Sequence, residues 1–197
     1  MMVAGGIVAL AIAITLGTML LPGAGASHDD NVPELHVGPS VGADFELVAR
    51  ETWAQFLTTF RARQGCFGDV TLRATSALDS RAAYDPDTAT VTVRVPGTRA
   101  MLQSALIHEW AHHVEFQCAA HVELRPAFLA AQGLPLDTPW RPDTPPADVP
   151  ASLWAGIPSE QCAEAAIEAV LGSRPVPTNV RLTREAVRVV QAWARGE

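Results

Sequence analysis

Three residues near the middle of the chain have the types and spacing of a metal-dependent hydrolytic site. His108, Glu109 and His112 form the pattern H-E-x-x-H. Residues four positions apart lie on one face of a helix, so the two imidazoles can bind a single metal ion. Glu109 follows His108 directly and can act as general base towards a water on that ion. The pattern therefore predicts a catalytic zinc site with Glu109 as its catalytic residue.

The surrounding sequence favours the helix that this spacing requires. No Pro or Gly occurs between Ala100 and Cys118, and Thr98 is a suitable N-cap after Pro96-Gly97. Apolar residues ahead of the motif share its stripe at 3.6-residue spacing. These residues are Met101, Leu102, Ala105 and Leu106. We therefore expect the motif to lie on a long helix that begins just after Thr98.

A catalytic zinc site needs a third protein ligand and one open position. The metzincin pattern H-E-x-x-H-x-x-G-x-x-H is excluded, because Glu115 and Cys118 stand at its Gly and last His positions. On a continuing helix, Cys118 lies about 15 Å along the axis from His108, too far to share its ion. Glu115 shares the face of His108 and His112, and we expect it to be solvated or to contact a ligand histidine.

A carboxylate from a second helix is the alternative third ligand. Ser159 to Leu171 has helical periodicity, and Glu160 and Glu164 lie one turn apart on the face of Ile167, which must point inward. A buried carboxylate is costly unless it binds a metal or hydrogen-bonds a ligand. Glu160 could equally be a first-turn acid favoured by the helix dipole, in which case Glu164 becomes the ligand. The residues alone leave this choice open.

An H-E-x-x-H motif followed by E-x-x-A-[DE] on a later helix resembles the gluzincin zinc peptidases. The small size and the order of strands before the helix also resemble the minimal gluzincins, including exported bacterial ones with H-E-W-A-H-H, and the resemblance spans about Val91 to Leu171. The resemblance implies that Glu160 is the third Zn²⁺ ligand and that Glu164 hydrogen-bonds a ligand histidine. Asp is more usual in the family at the position of Glu164. It also implies hydrolysis of peptide bonds in a peptide or protein substrate.

The remaining pattern predicts an α+β fold. A helix is expected from Ala43 to Gln64, stopped by Gly65, followed by strands at Asp69–Thr75, Ala82–Tyr84 and Ala89–Val95. Shorter helices are expected at 126–132 and 183–194, separated by a Pro-rich loop that its tryptophans should hold down. We expect a zincin-like domain whose small antiparallel sheet packs on the H-E-x-x-H helix and a downstream glutamate helix. By analogy, the Ala89–Val95 strand would pair with an extended substrate.

The N-terminal segment indicates export. Residues 1–26 contain no charged side chain, residues 3–21 are almost wholly apolar, and Ala24-Gly25-Ala26 forms an A-x-A cleavage site. The segment is either a signal peptide or an uncleaved membrane anchor, and both place the rest of the chain outside the cytoplasm. We expect a linker at 27–42 and a monomeric domain at 43–197 that contacts the membrane only through residues 3–21.

The cysteine count predicts a disulfide, and the net charge bears on the class of partner. In an exported chain, three cysteines suggest one disulfide, for which we favour Cys66 and Cys118, with Cys162 buried; three unbridged cysteines are the alternative. The net charge of −7 and the lack of a basic stripe exclude nucleic acid as a partner.

Two questions stay open in the sequence. The group that stabilises the oxyanion could be Tyr84, His121 or one of several arginines. The rival functions are a catalytically inactive zinc-binding domain and a metal-free interaction domain of the cell envelope.

Overall fold

The computed structural model describes residues 32–142 and 150–197, which form a four-stranded sheet and a set of helices. The strands are β1 (Leu35–Val37), β2 (Val70–Thr75), β3 (Ala82–Asp85) and β4 (Thr90–Arg94). The helices are α1 (Ala43–Thr59), α2 (Gln64–Phe67), α3 (Arg99–Gln117), α4 (His121–Gln132), α5 (Ala151–Trp154), α6 (Pro158–Leu171) and α7 (Arg184–Arg195). The predicted signal or anchor segment lies outside the described residues. Within them, no helix is both long and apolar enough to span a bilayer.

The α+β class is confirmed, but the prediction of an antiparallel sheet is wrong. The strand order is β1-β2-β4-β3, with β1, β2 and β4 parallel and only β3 antiparallel to its neighbour β4. The turn sequence after Tyr84 specifies the β3–β4 hairpin alone, because the other pairings join distant segments. β1 pairs with β2 in the register Leu35↔Val70, so residues 35–37 form a short strand of the sheet.

Helix α1 packs an aromatic face into the core. Trp53 and Phe56 contact the Trp110 ring of α3 edge-on, at centroid distances of 4.8 and 5.6 Å. The predicted end at Gln64 is wrong, since α1 ends at Thr59 and Gly65 lies inside the short α2. The reason is tertiary: the Ala62 N–H bonds to a carbonyl at the end of α7 (Ala194 O, 3.2 Å) instead of continuing the helix.

Helix α3, which carries the H-E-x-x-H motif, is the centre of the fold. The Thr98 side chain caps it by accepting a hydrogen bond from the Met101 N–H. Its residues are buried around almost the whole circumference, because α1, α6 and the sheet each cover part of it. Such a helix is held mainly by packing, so its histidines are carried on a rigid support.

The helices after α3 follow the sequence pattern with one shift. Helix α4 begins at His121 and not at Pro126, because N–H groups from His121 onward already bond to carbonyls three residues earlier. Pro126 is tolerated in the second turn, where it removes one bond. Helix α6 covers the predicted Ser159–Leu171 and ends at Gly172, whose φ of +74° suits glycine.

Candidate metal centre

Helices α3 and α6 pack face to face and bring three predicted ligands together. His108 and His112 project from successive turns of α3, and Glu160 comes from the first turn of α6. His108 Nε2 lies 3.1 Å from His112 Nε2, and Glu160 Oε2 lies 3.0 and 3.3 Å from these two atoms. All three residues are at most 9% exposed. The three atoms therefore form a compact triangle that could hold a metal ion.

Each histidine has a carboxylate behind it. His108 Nδ1 lies 3.1 Å from Glu164 Oε1, and His112 Nδ1 lies 3.2 Å from Glu115 Oε2. For His108, the carboxylate beside Nδ1 holds the ring proton there, which leaves Nε2 with its lone pair. His112 Nδ1 faces a donor as well as a carboxylate, because Arg141 Nη2 lies 2.8 Å from it. Both imidazoles direct Nε2 at the centre of the triangle.

The donor set fits a zinc ion. In a tetrahedral site with bonds of about 2.0–2.1 Å, ligand atoms lie about 3.3 Å apart, close to the separations in this triangle. Two imidazole lone pairs and a carboxylate oxygen repel one another unless a cation lies between them. The hydrogen bonds of Glu160 outweigh its burial and hold its pKa well below the usual range, so this ligand is charged.

A proton is the natural competitor of the metal. Burial by itself lowers the pKa of His112, but the contacts with Glu115 and Glu160 prevail and raise it. Because a metal ligand must be deprotonated, metal affinity is expected to fall as the pH decreases.

Glu109 lies at the edge of an open cleft beside the triangle. The cleft has a volume of about 1060 Å³ and is lined by all three candidate ligands, by Glu109 and by the β3 strand. Among the described residues, no side chain hydrogen-bonds the Glu109 carboxylate, and burial raises its pKa. A carboxylate of this kind is available as a proton acceptor.

The sequence did not identify the group that holds Glu115. Trp140 Nε1 donates to Glu115 Oε1 (2.8 Å), and the Arg141 guanidinium binds both carboxylate oxygens through Nε and Nη2 (2.7 and 2.6 Å). Burial raises the pKa of Glu115, but these bonds and that of His112 lower it to about 2. Of the two expectations for Glu115, the structure favours contact with a ligand histidine over solvation.

The sequence also gave no indication of the residues that surround His108. Arg174, from the loop after α6, pairs with the second oxygen of Glu164. Trp154 of α5 stacks on the His108 ring at a centroid distance of 5.7 Å. Trp140 and Trp154 therefore pack against the site, which agrees with the prediction for the described residues of the Pro-rich segment.

Two predicted candidates for oxyanion stabilisation point away from the triangle. The Tyr84 hydroxyl lies 2.9 Å from His113 Nδ1 and accepts a bond from Gln117. His121 is buried behind His112, between the rings of Trp140 and Trp193. An arginine is left: Arg141 lines the cleft, with Nη1 3.9 Å from Glu160 Oε1.

The strand that was expected to pair with a substrate, Ala89–Val95, is not at an edge of the sheet. Residues 90–94 form β4, whose two edges are both paired, so the Ala89–Val95 segment cannot accept another strand. The free edge beside the cleft belongs to β3.

A disulfide joins Cys66 to Cys118, the C-cap residue of α3, and ties that helix to α2. Cys118 is therefore committed to this bond and is not a metal ligand. Cys162 is a buried free cysteine, and burial raises the pKa of its thiol.

Comparison with protein-family models, curated proteins and solved structures gave no match to this chain. The geometry of the site must therefore carry the functional interpretation on its own.

Proposed function

We propose that this protein is a zinc-dependent peptidase of gluzincin type with a zincin-like fold. The observation that carries the proposal is the triangle of His108 Nε2, His112 Nε2 and Glu160 Oε2. Beside it, on an open cleft, lies the Glu109 carboxylate, which no side chain of the described residues hydrogen-bonds. A purely structural zinc site is usually closed by a fourth protein ligand and needs no base. The cleft also argues against an inactive domain that lacks a substrate groove.

The chain's own residues have distinct tasks in this mechanism. His108, His112 and Glu160 would hold zinc, which supplies a Lewis acid and lowers the pKa of a bound water. Glu109 takes a proton from the attacking water onto its carboxylate and passes it to the leaving amine. The burial that raises the pKa of Glu109 makes this carboxylate a stronger base.

The β3 strand is the proposed docking edge for an extended peptide. Arg81 O accepts a bond from Arg94 N–H, and antiparallel pairing then alternates along the strand. The main-chain groups of Ala82 and Tyr84 consequently face the cleft and not β4. Ser80 Oγ bonds to Ala82 O, whereas the N–H and C=O of Tyr84 are available to a substrate strand.

The proposed setting is outside the cytoplasm, with the chain secreted or anchored through residues 3–21 and acting as a monomer. The Cys66–Cys118 disulfide supports this location, because such bonds persist in oxidising compartments.

The test is cleavage of a peptide library by the purified zinc-loaded chain, read by mass spectrometry. We expect Glu109→Gln to keep zinc and to lose about 10²–10⁴-fold in rate, since only the base is removed. Glu123→Gln is the matched control, because Glu123 is an exposed acid on α4 away from the cleft. No cleavage by the zinc-loaded wild type, or equal rates for it and Glu109→Gln, would contradict the proposal.

A further inference from the structure

The Arg141 guanidinium is fixed in one orientation. Its Nε and Nη2 atoms bind the two oxygens of Glu115, and Nη2 also lies 2.8 Å from His112 Nδ1. Its Cζ lies over the Phe116 ring, 4.7 Å from the centroid. Glu115 is fixed in turn by Trp140 and is almost fully buried. A bidentate pair of this kind sets the direction of the remaining guanidinium nitrogen as well as its position.

That remaining nitrogen, Nη1, is directed towards the candidate metal ligands. It lies 3.9 Å from Glu160 Oε1, beyond hydrogen-bond distance, and it makes no hydrogen bond within residues 32–142 and 150–197. Arg141 lines the same cleft as Glu109. The other partly buried arginine of the cleft, Arg174, pairs with Glu164 on the far side of His108. Arg141 Nη1, which has an ion pair but no hydrogen bond within the described residues, therefore supplies a charged donor next to the place where a substrate would react.

We propose that Arg141 is a catalytic residue that donates from Nη1 to the carbonyl oxygen of the scissile peptide bond as negative charge develops there. This inference rests on the proposed function. Donors that are fixed before the reaction stabilise developing charge without reorganisation. Lysine could not replace this group, because one ammonium cannot hold both Glu115 oxygens and also reach the cleft. Arg141 would thus perform the task that neither Tyr84 nor His121 is placed to perform.

The test uses binding of a small oxygen ligand, so that it does not depend on turnover. The full chain is loaded with Co²⁺, and acetohydroxamate is titrated while the visible absorption of the cobalt ion is followed. We expect Arg141→Gln to retain one Co²⁺ per chain and to bind acetohydroxamate about 10- to 100-fold more weakly, the usual cost of a lost charge-assisted bond. Arg81→Gln removes another positive charge that lines the cleft, and we expect less than a twofold change.

Two outcomes would overturn the proposal. Equal affinity of Arg141→Gln and wild type would mean that Arg141 only positions Glu115, and an equal loss in Arg81→Gln would mean that only the general charge of the cleft matters. If Arg141→Gln fails to retain Co²⁺, Arg141→Lys is titrated instead: weaker binding supports the donor role, and unchanged binding overturns it. Acetohydroxamate binding that depends on Arg141, in a protein that cleaves no peptide, would contradict the proposed function and with it the role of Arg141 at a peptide carbonyl, and would leave Arg141 only as a donor to an oxygen ligand in the cleft. A wild type that binds no Co²⁺ would overturn both.

Discussion

The two histidines of the site each contact a glutamate, and different parts of the fold supply the two glutamates and their partners. Each Nδ1 faces a glutamate, and each glutamate is paired with an arginine. For His112 the glutamate is Glu115, three residues along the same helix, and its partners come from the segment after α4. For His108 the glutamate is Glu164, on α6, the helix that also supplies Glu160.

The supports of the two histidines therefore depend on different segments of the chain. The support of His112 is local to α3 and is tied to the segment around Trp140, so its loss should loosen that segment. The support of His108 depends on the packing of α3 against α6, which sets a ligand and an orienting acid together. A small shift of α6 would therefore disturb both a candidate ligand, Glu160, and the contact of Glu164 with His108, whereas a shift of residues 140–142 would disturb only the support of Glu115.

The largest expected effect is on zinc affinity, and it is expected for Glu160, which contacts both histidines. Glu160→Gln should lower zinc affinity by well over 100-fold, because it removes a charged ligand and not only an orienting contact. Competition with a fluorescent zinc chelator measures this. If Glu160→Gln kept its zinc and Glu164→Gln lost it, the assignment of the two acids on α6 would be reversed.

The next largest effect is expected on the free energy of unfolding, when Glu115, which contacts His112, is replaced. The pKa of Glu115 is about 2 in the folded protein against a usual 4.5. A carboxyl with such a depressed pKa stabilises the fold by about 3 kcal/mol at neutral pH, and Glu115→Gln should lose this amount. The stabilisation is fully present above pH 4.5 and is lost as the pH falls towards 2.

Urea unfolding of the metal-free protein at pH 7 and pH 3 checks this expectation. The difference in unfolding free energy between wild type and Glu115→Gln should shrink by roughly half at pH 3. A difference that is independent of pH would show that the Glu115 charge does not stabilise the fold.

Replacing Glu164, which contacts His108, should change zinc affinity more than the stability of the fold. Glu164→Gln is expected to weaken zinc binding by about 10- to 100-fold, as for other acids that orient a ligand histidine. Its effect on the stability of residues 134–142 should be small, because the polar partners of Glu164 among the described residues are His108 and Arg174. Amide hydrogen exchange of residues 134–142 distinguishes the support of His112 from that of His108. These residues should exchange faster in Glu115→Gln and at the wild-type rate in Glu164→Gln.

The smallest effect is expected for the ring that covers His108. Trp154→Leu removes a stacked aromatic pair, which is worth about 1 kcal/mol, and should weaken zinc binding about fivefold. Leu153→Ala on the same helix is the control, since Leu153 is 64% exposed and its loss should change little. Equal effects of the two substitutions on zinc binding would mean that the Trp154 ring makes no specific contribution through its stacking on His108.

Much of the candidate site could be predicted because helical spacing is a local property. His108, Glu109 and His112 on one helix, and Glu160 and Glu164 on another, follow from periodicity and from inward-facing Ile167. Their mutual approach requires only that two amphipathic faces pack together.

The parts that were not predicted depend on contacts between distant segments. The parallel pairing of β1, β2 and β4 has no local signal, in contrast to the β3–β4 hairpin with its turn sequence. Arg141 and Trp140 lie in a segment without periodicity, so nothing local indicates that they reach Glu115. The one clue was energetic: Glu115 lies on the buried face of the metal helix, where a carboxylate needs a cation or a donor.

The most direct test of the metal centre is the zinc content of the purified chain, measured together with zinc K-edge absorption. We expect one zinc per chain, bound by two imidazoles and oxygen ligands at about 2.0–2.1 Å, and its loss in both His108→Ala and Glu160→Ala. A wild type that stays free of zinc after reconstitution, or that keeps its zinc in both variants, would contradict the assignment of this triangle as the metal centre.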